Sequence, residues 1–315
     1  MNTLRHIIRT IKKGVRYTIS TKQYYGAIEL CSPYCYFLPK IIMERMHYAP
    51  SPREIACFTS YFHPVALYLN KASFKFFYNI ENTHVVNSGW QVWENCYLWK
   101  CAPTLSLGFD YTEHPKHLRF PYWLEAIFGV MATRESITEL VRAHNYSDST
   151  NRGKECAFIC KKDYFGDRAI MADMVAQIMP ISYPSDFRHN DDEMRGKYGD
   201  DKIAYLRQFK FNLCPENSNN RGYVTEKIFE AIKAGCVPIY WGNEGYPEPD
   251  ILNPKAIVYL DRDNPEEGLS LLRKLYESSE EYAKFAAQPR FLPGAESVIY
   301  AYYERLENKL REILA

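Results

Sequence analysis

Four side chains in one short stretch could bind and activate an anion. Asn217, Tyr223, Glu226 and Lys227 lie within eleven residues, on or just before what reads as a helix start. Backbone N–H groups at a helix N-terminus favour an anionic ligand, and an ammonium beside them adds to that field. The elements that must position them follow from pattern. Phe209, Phe211 and Leu213 alternate as a half-buried strand does. Glu216–Arg221 is a run of Asn, Ser and charge, which is loop chemistry. Thr225 suits an N-cap, Ile228, Phe229 and Ile232 form a stripe at helical spacing, and Gly235 is a natural stop. Val237–Trp241 resumes as a strand. This is a βαβ unit whose polar residues sit in the strand-to-helix loop, the edge where ligands bind in open α/β sheets. Loop polarity alone would favour a surface loop before a well-capped helix.

The order of residues adds a resemblance. Glu216-Asn217-Ser218, then Tyr223-Val224-Thr225-Glu226-Lys227, then Ala234-Gly235-Cys236-Val237-Pro238-Ile239-Tyr240-Trp241-Gly242 resembles the donor-binding motif of the α-1,3/1,4-fucosyltransferases, glycosyltransferase family 10. Pro215 departs from it, where an aromatic is more usual. Two further stretches are similar to family segments. Tyr78-Asn79-Ile80-Glu81-Asn82 follows a strand and looks like the acceptor-side run whose Glu is the proposed general base, with Asn79-Ile80 replacing the usual Thr-Gly. Arg168 lies ten residues after Phe158, where the family places an Arg on the donor diphosphate. Taken alone, Glu81 reads as a solvated carboxylate at a strand end and Arg168 as a cation snorkelling from a helix.

The resemblance implies an α/β protein of GT-B architecture: two Rossmann-like α/β domains facing across a cleft, with a C-terminal helix, in a bacterial-type family member. It implies an inverting transferase moving L-fucose from GDP-β-L-fucose to a hydroxyl of GlcNAc or Glc in an oligosaccharide or lipid-linked glycan. Glu81 would be the catalytic base. Arg168, Asn217, Tyr223, Glu226 and Lys227 would bind the donor. No metal is needed, a divalent ion being at most stimulatory. Another nucleotide sugar, or a catalytically inactive glycan- or nucleotide-binding relative, are the alternatives.

Composition bounds these readings. The chain has 315 residues, 24% charged and 46% hydrophobic, enough for two globular domains. A formal charge of +1 argues against nucleic acid as the main partner. Aromatics reach 15%, with 26 Tyr, which suits sugar stacking but is more commonly a Tyr-rich core. Nine cysteines, an odd number without zinc-site spacing, suggest reduced thiols in a cytosolic protein and no metal centre. Asp261-Arg262-Asp263 spells Asp-x-Asp, but Asn264-Pro265-Glu266 after it reads as a helix start, so capping is expected there rather than a metal.

The expected organisation is a basic amphipathic segment (1–22), an acceptor-binding domain (23–150), a donor-binding domain (151–294) and a C-terminal helix (295–315). The boundary falls in the polar run near 145–155, and Asp191–Asp200 reads as a mobile loop. Residues 1–22 hold six cations and no acid, with Leu4, Ile7, Ile8, Ile11 and Val15 on one helical face. That pattern fits a membrane-surface element or a helix packing on its own domain. The basic start is not followed by an uninterrupted apolar core, so no secretory signal is expected. The localisation that follows is cytoplasmic, peripheral on the inner membrane face, with a role in protein or lipopolysaccharide glycosylation.

Overall fold

The computed structural model describes residues 23–61, 64–84, 103–146 and 152–315. The basic amphipathic segment expected at residues 1–22 lies outside these. The chain forms two compact units, one containing the residues up to Ala132 together with Tyr302–Ala315, the other Thr133–Ala301.

The first unit is built on six strands in sequential order: β1 (Gln23–Tyr25), β2 (Ile28–Leu30), β3 (Ile55–Thr59), β4 (Phe74–Tyr78), β5 (Leu105–Gly108) and β6 (His117–Arg119). The β1–β2 pair is antiparallel and the rest are parallel. Strand β3 is buried along its whole length, as a central parallel strand covered on both faces must be. The core is strongly aromatic. Phe37 and Phe120 rings lie 5.3 Å apart, as do Phe120 and Tyr303. Tyr78 and Tyr303 are among the largest fully buried side chains, as are Tyr205 and Tyr240 in the second unit. The helices are α1 (Phe37–Lys40), α2 (Pro64–Leu69) and α3 (Tyr122–Phe128).

The second unit carries β7 (Lys154–Ala157), β8 (Ile181–Ser182), β9 (Phe209–Leu213), β10 (Val237–Tyr240) and β11 (Val258–Tyr259). They pair in the order β11-β10-β9-β7-β8, all parallel. Its helices are α4 (Arg134–His144), α5 (Asp167–Ala176), α6 (Glu193–Gly196), α7 (Lys202–Leu206), α8 (Glu226–Ala234), α9 (Glu266–Glu277) and α10 (Ser279–Ala286). Helix α11 (Ala295–Leu314) begins in this unit and ends in the first. Phe211, Leu213, Val237, Ile239, Val258, Met171, Val175 and Leu272 form the core between sheet and helices.

Three expectations are corrected. The division falls between Ala132 and Thr133, not at 150/151, because α4 precedes the polar run and is counted with the second unit; Arg290 N donates to Asn145 O at 2.8 Å just after it. The C-terminal helix is not a separate element, since its larger part completes the first unit. The charged run Asp191–Asp200 contains helix α6, and Asp191 is held by the Tyr205 hydroxyl at 2.8 Å and Lys154 Nζ at 3.3 Å.

Candidate functional site

Strand order in the second unit fixes where a ligand can enter. The chain runs from β7 outward to β8, then returns to β9 on the opposite side of β7. Connections therefore leave the carboxyl ends of β7 and β9 in opposite directions and open a crevice between them, the topological switch point of the sheet. A pocket lies there, lined by residues that follow β7 (Phe158, Ile159) and end or follow β9 (Asn212 to Pro215). Asn212 Nδ2 donates to Ala157 O at 2.9 Å, tying the two strands at that edge.

Helices α5, α7 and α8 supply its charges: Arg168, Lys202, Glu226, Lys227 and Glu230. Gly166, at φ 83°, turns the chain into α5, and Asp163 accepts from Gly166 N at 3.0 Å and Ala169 N at 2.8 Å. Arg168, on the first turn, donates to Lys162 O at 2.9 Å, leaving its Nε buried without a hydrogen-bond partner among the described residues. Gly235, at φ 76°, closes α8 in the left-handed conformation that glycine adopts freely.

The start of α8 differs from the expected cap. Thr225 stands at the N-cap position but makes no side-chain cap bond. Its hydroxyl donates to Glu216 Oε2 at 2.8 Å, and its backbone N–H to Glu216 Oε1 at 2.7 Å. Glu216, fully buried, thus satisfies the helix start from the preceding loop. Lys227 Nζ completes the cluster, 3.0 Å from Glu216 Oε2, 2.6 Å from Thr225 Oγ1 and 3.9 Å from Glu226 Oε1.

These charges set one another. Burial works against the Lys227 ammonium, but Glu216 and Glu226 outweigh it and hold its pKa above the ordinary lysine value. Burial likewise pushes Glu226 upward, while Lys227, its own backbone N–H and Lys202 bring it below the usual carboxylate value. Glu230 is raised by burial, with Lys202 at 3.2 Å offsetting only part of that. The result is an ammonium that neighbouring carboxylates keep in its charged form, in a pocket that the Arg168 guanidinium also lines.

Of the sequence-predicted residues, Arg168, Glu226 and Lys227 line this pocket; Asn217 and Tyr223 do not. Asn217 accepts from the Ser218 hydroxyl at 2.9 Å, and Tyr223 is buried in the same loop. Glu81 belongs to the first unit, in the turn after β4, where its Oε1 accepts from the Tyr61 hydroxyl. Sequence reasoning passed over Glu216, Lys202 and Glu230. Glu216 opens the quoted motif, yet nothing in a polar loop marks one carboxylate as buried. The Asp-x-Asp run makes a local turn, Asp261 Oδ1 accepting from Asp263 N at 2.9 Å, while Arg262 pairs with Asp167 at 2.6 Å; neither aspartate caps a helix. The seven described cysteines are free. Among the described residues no helix is long and apolar enough to cross a membrane, and no His/Cys/Asp/Glu group has metal-site geometry.

Comparison with known proteins agrees with this geometry. The family model described as glycosyltransferase family 10 (fucosyltransferase) C-term matches residues 158–290, which include the whole pocket. An α-(1,3)-fucosyltransferase of Helicobacter pylori is 39% identical over 82 residues, 26% of this chain and 17% of that protein. A GDP-fucose protein O-fucosyltransferase 3 of Danio rerio is 37% identical over 90 residues, 27% of this chain and 19% of the relative. The matched stretches thus span less than a fifth of these relatives' lengths. A crystal structure of an α1,3-fucosyltransferase aligns over 81% of this chain and 78% of its own with a TM-score of 0.55 at 20% identity. One with GDP-fucose aligns over 80% and 89% with a TM-score of 0.51 at 18% identity. The fold is GT-B, with two α/β units built on largely parallel sheets.

Proposed function

Because residues 158–290 match the glycosyltransferase family 10 model, we propose that the chain is a member of that family and transfers L-fucose from GDP-β-L-fucose, with inversion, to a hydroxyl of an acceptor sugar, GlcNAc or Glc within a glycan. The observation that carries this reading is the meeting of Arg168 and Lys227 in one pocket at the switch point of the second unit's sheet. Breaking the C1–O bond leaves negative charge on the departing diphosphate, and preorganised cations aimed at that charge lower the barrier. The fucosyl centre passes through an oxocarbenium-like state, as in glycoside hydrolysis. The attacking hydroxyl must lose its proton, and Glu81 is the base. Glu226, which lines the same pocket, holds nucleotide or sugar. With protein cations on the diphosphate, transfer should survive EDTA.

A second reading of the acceptor comes from the relatives named as protein O-fucosyltransferases: the hydroxyl could be that of a polypeptide. Residues 1–22, with six cations and an apolar stripe, suit contact with an anionic membrane. Their deletion should abolish sedimentation with anionic liposomes and spare transfer to a soluble acceptor; unchanged sedimentation would rule that contact out.

A thermal-shift panel of GDP, UDP, CDP and dTDP tests the donor. A ligand at roughly 100 times its Kd adds about 2.7 kcal/mol of stability. Protection by another nucleotide and not by GDP would overturn the reading. Transfer from labelled GDP-fucose to glycans or to Ser/Thr peptides then separates the two acceptors.

A further inference from the structure

We propose that Glu216 is a positioning residue for Lys227, a buried carboxylate that fixes the ammonium at the donor pocket through a three-member bridge with Thr225. This rests on the donor-binding reading above. The bridge is fully connected. Glu216 Oε1 takes the Thr225 N–H at 2.7 Å, Oε2 takes the Thr225 hydroxyl at 2.8 Å and Lys227 Nζ at 3.0 Å, and Nζ also donates to Thr225 Oγ1 at 2.6 Å. Glu216 is in turn fixed by its own N–H, which donates to Trp241 O at 2.8 Å beyond β10.

The chain makes room for this carboxylate. Gly242, at φ 144°, lies so close that an added Cβ would stand 2.8 Å from Glu216 Cγ and 3.0 Å from its Cβ. A side chain there would displace Glu216. The glycine at the end of the motif thus clears the space that the glutamate at its beginning occupies, with the lysine between them in sequence.

A buried carboxylate costs several kcal/mol unless paired and hydrogen-bonded, and here every bond it makes leads to α8. Lys227 meets Glu216 from the loop after β9, Glu226 on its own helix and Arg168 from α5; Lys202 of α7 and Glu230 line the same pocket. Of these, Glu216 contributes most to keeping the lysine charged against burial. Glu226 and Arg168 act in opposite senses, so removing Glu216 takes away the largest support for the Lys227 charge.

The test compares wild type, Glu216→Gln and Thr225→Val in two measurements. The first follows acylation of Lys227 against pH by mass spectrometry without nucleotide. The second follows GDP affinity by calorimetry from pH 6.5 to 9. In Glu216→Gln, Lys227 should acylate at lower pH, and GDP affinity should fall more at pH 9 than at pH 6.5, as expected for a lysine that has lost the largest support for its charge. Thr225→Val should acylate faster than wild type at the same pH, its ammonium having lost one anchor. A folded Glu216→Gln with the wild-type acylation profile would overturn the proposal. If that variant does not fold, Thr225→Val decides: faster acylation supports the bridge and a wild-type rate overturns it. A wild-type protein that binds no GDP defeats the donor reading alone, since the acylation measurement still judges Glu216.

Discussion

The Tyr61 hydroxyl donates to Oε1 of Glu81 at 2.9 Å, in the turn that follows β4. The same turn is pinned by Ser60, whose hydroxyl accepts from Ile80 N at 2.9 Å and Glu81 N at 3.2 Å and donates to Asn79 Oδ1 at 2.8 Å. Asn79 and Ser60 thus hold a loop in which no glycine stands at position 80. If Glu81 is the base, Glu81→Gln should lower kcat by roughly 10²–10⁴ and leave GDP affinity unchanged. Full transfer by Glu81→Gln, alongside a Glu226→Gln that binds donor normally but does not react, would reverse the two roles.

Arg168→Ala and Lys227→Ala should each lose on the order of 10²–10³ in kcat while keeping their circular dichroism spectra. The cost should fall on turnover more than on acceptor KM, because the diphosphate gains charge as the bond breaks. Single-turnover rates with saturating donor check this. Near wild-type turnover in either variant removes that residue from the site.

The first unit holds its own pH dependence in Glu125. Burial raises its pKa to about 8 from 4.5, Lys40 offsetting part of that, and its Oε2 has no hydrogen-bond partner among the described residues. An acid with a raised folded-state pKa binds more protons folded than unfolded between those two values. Its contribution therefore favours folding below about pH 4.5 and is lost as pH rises toward about 8, with a slope of at most about 1.4 kcal/mol per pH unit. Glu125→Gln should flatten that decline and raise Tm at pH 8.5 relative to wild type. Urea midpoints measured between pH 5 and 8.5 report it; parallel curves for the two proteins would contradict it.

Gly268 sits where α9 presses on the sheet. A Cβ there would lie 2.5 Å from Tyr259 O and 3.2 Å from Leu260 Cα, and backbone atoms cannot swing aside. Alanine normally gains about 1 kcal/mol over glycine within a helix. Overpacking a core typically costs about 1–3 kcal/mol, so the clash should win. Gly268→Ala is expected to lower stability in chemical denaturation, whereas a stabilised variant would show that α9 can lift from the sheet.

Periodicity made the elements legible. β9, α8, β10 and α11 stand where the sequence pattern predicts them, because their residues answer to a buried face that recurs along the sequence. What was not legible depends on partners far away in the chain. Thr225 has the right chemistry for a cap, but a glutamate nine residues earlier takes its hydroxyl. Asp191 looks like loop polarity until Tyr205 and Lys154 close on it. The polar run near residue 150 looks like a linker, yet α4 just before it is counted with the second unit. In the site, Arg168 and Lys227 share a pocket only because β7 and β9 are adjacent. A βαβ pattern does not by itself specify that strand order.

Helix α11 carries the chain back into the first unit, where the Tyr303 hydroxyl donates to Leu124 O and Gly129 O at 2.9 Å and Glu307 pairs with Arg45 at 2.7 Å. The first unit is therefore interrupted in sequence, and the second, Thr133–Ala301, is continuous. On the ribosome this inverts the usual order in which domains mature from the N-terminus. The second unit can close its core as soon as its own residues emerge. The first must wait with the faces of Phe120 and Trp123 that pack on Tyr302 and Tyr303 uncovered until residues 302–314 have been translated, and over that interval its aromatic surface is the part of the nascent chain that chaperones would have to shield.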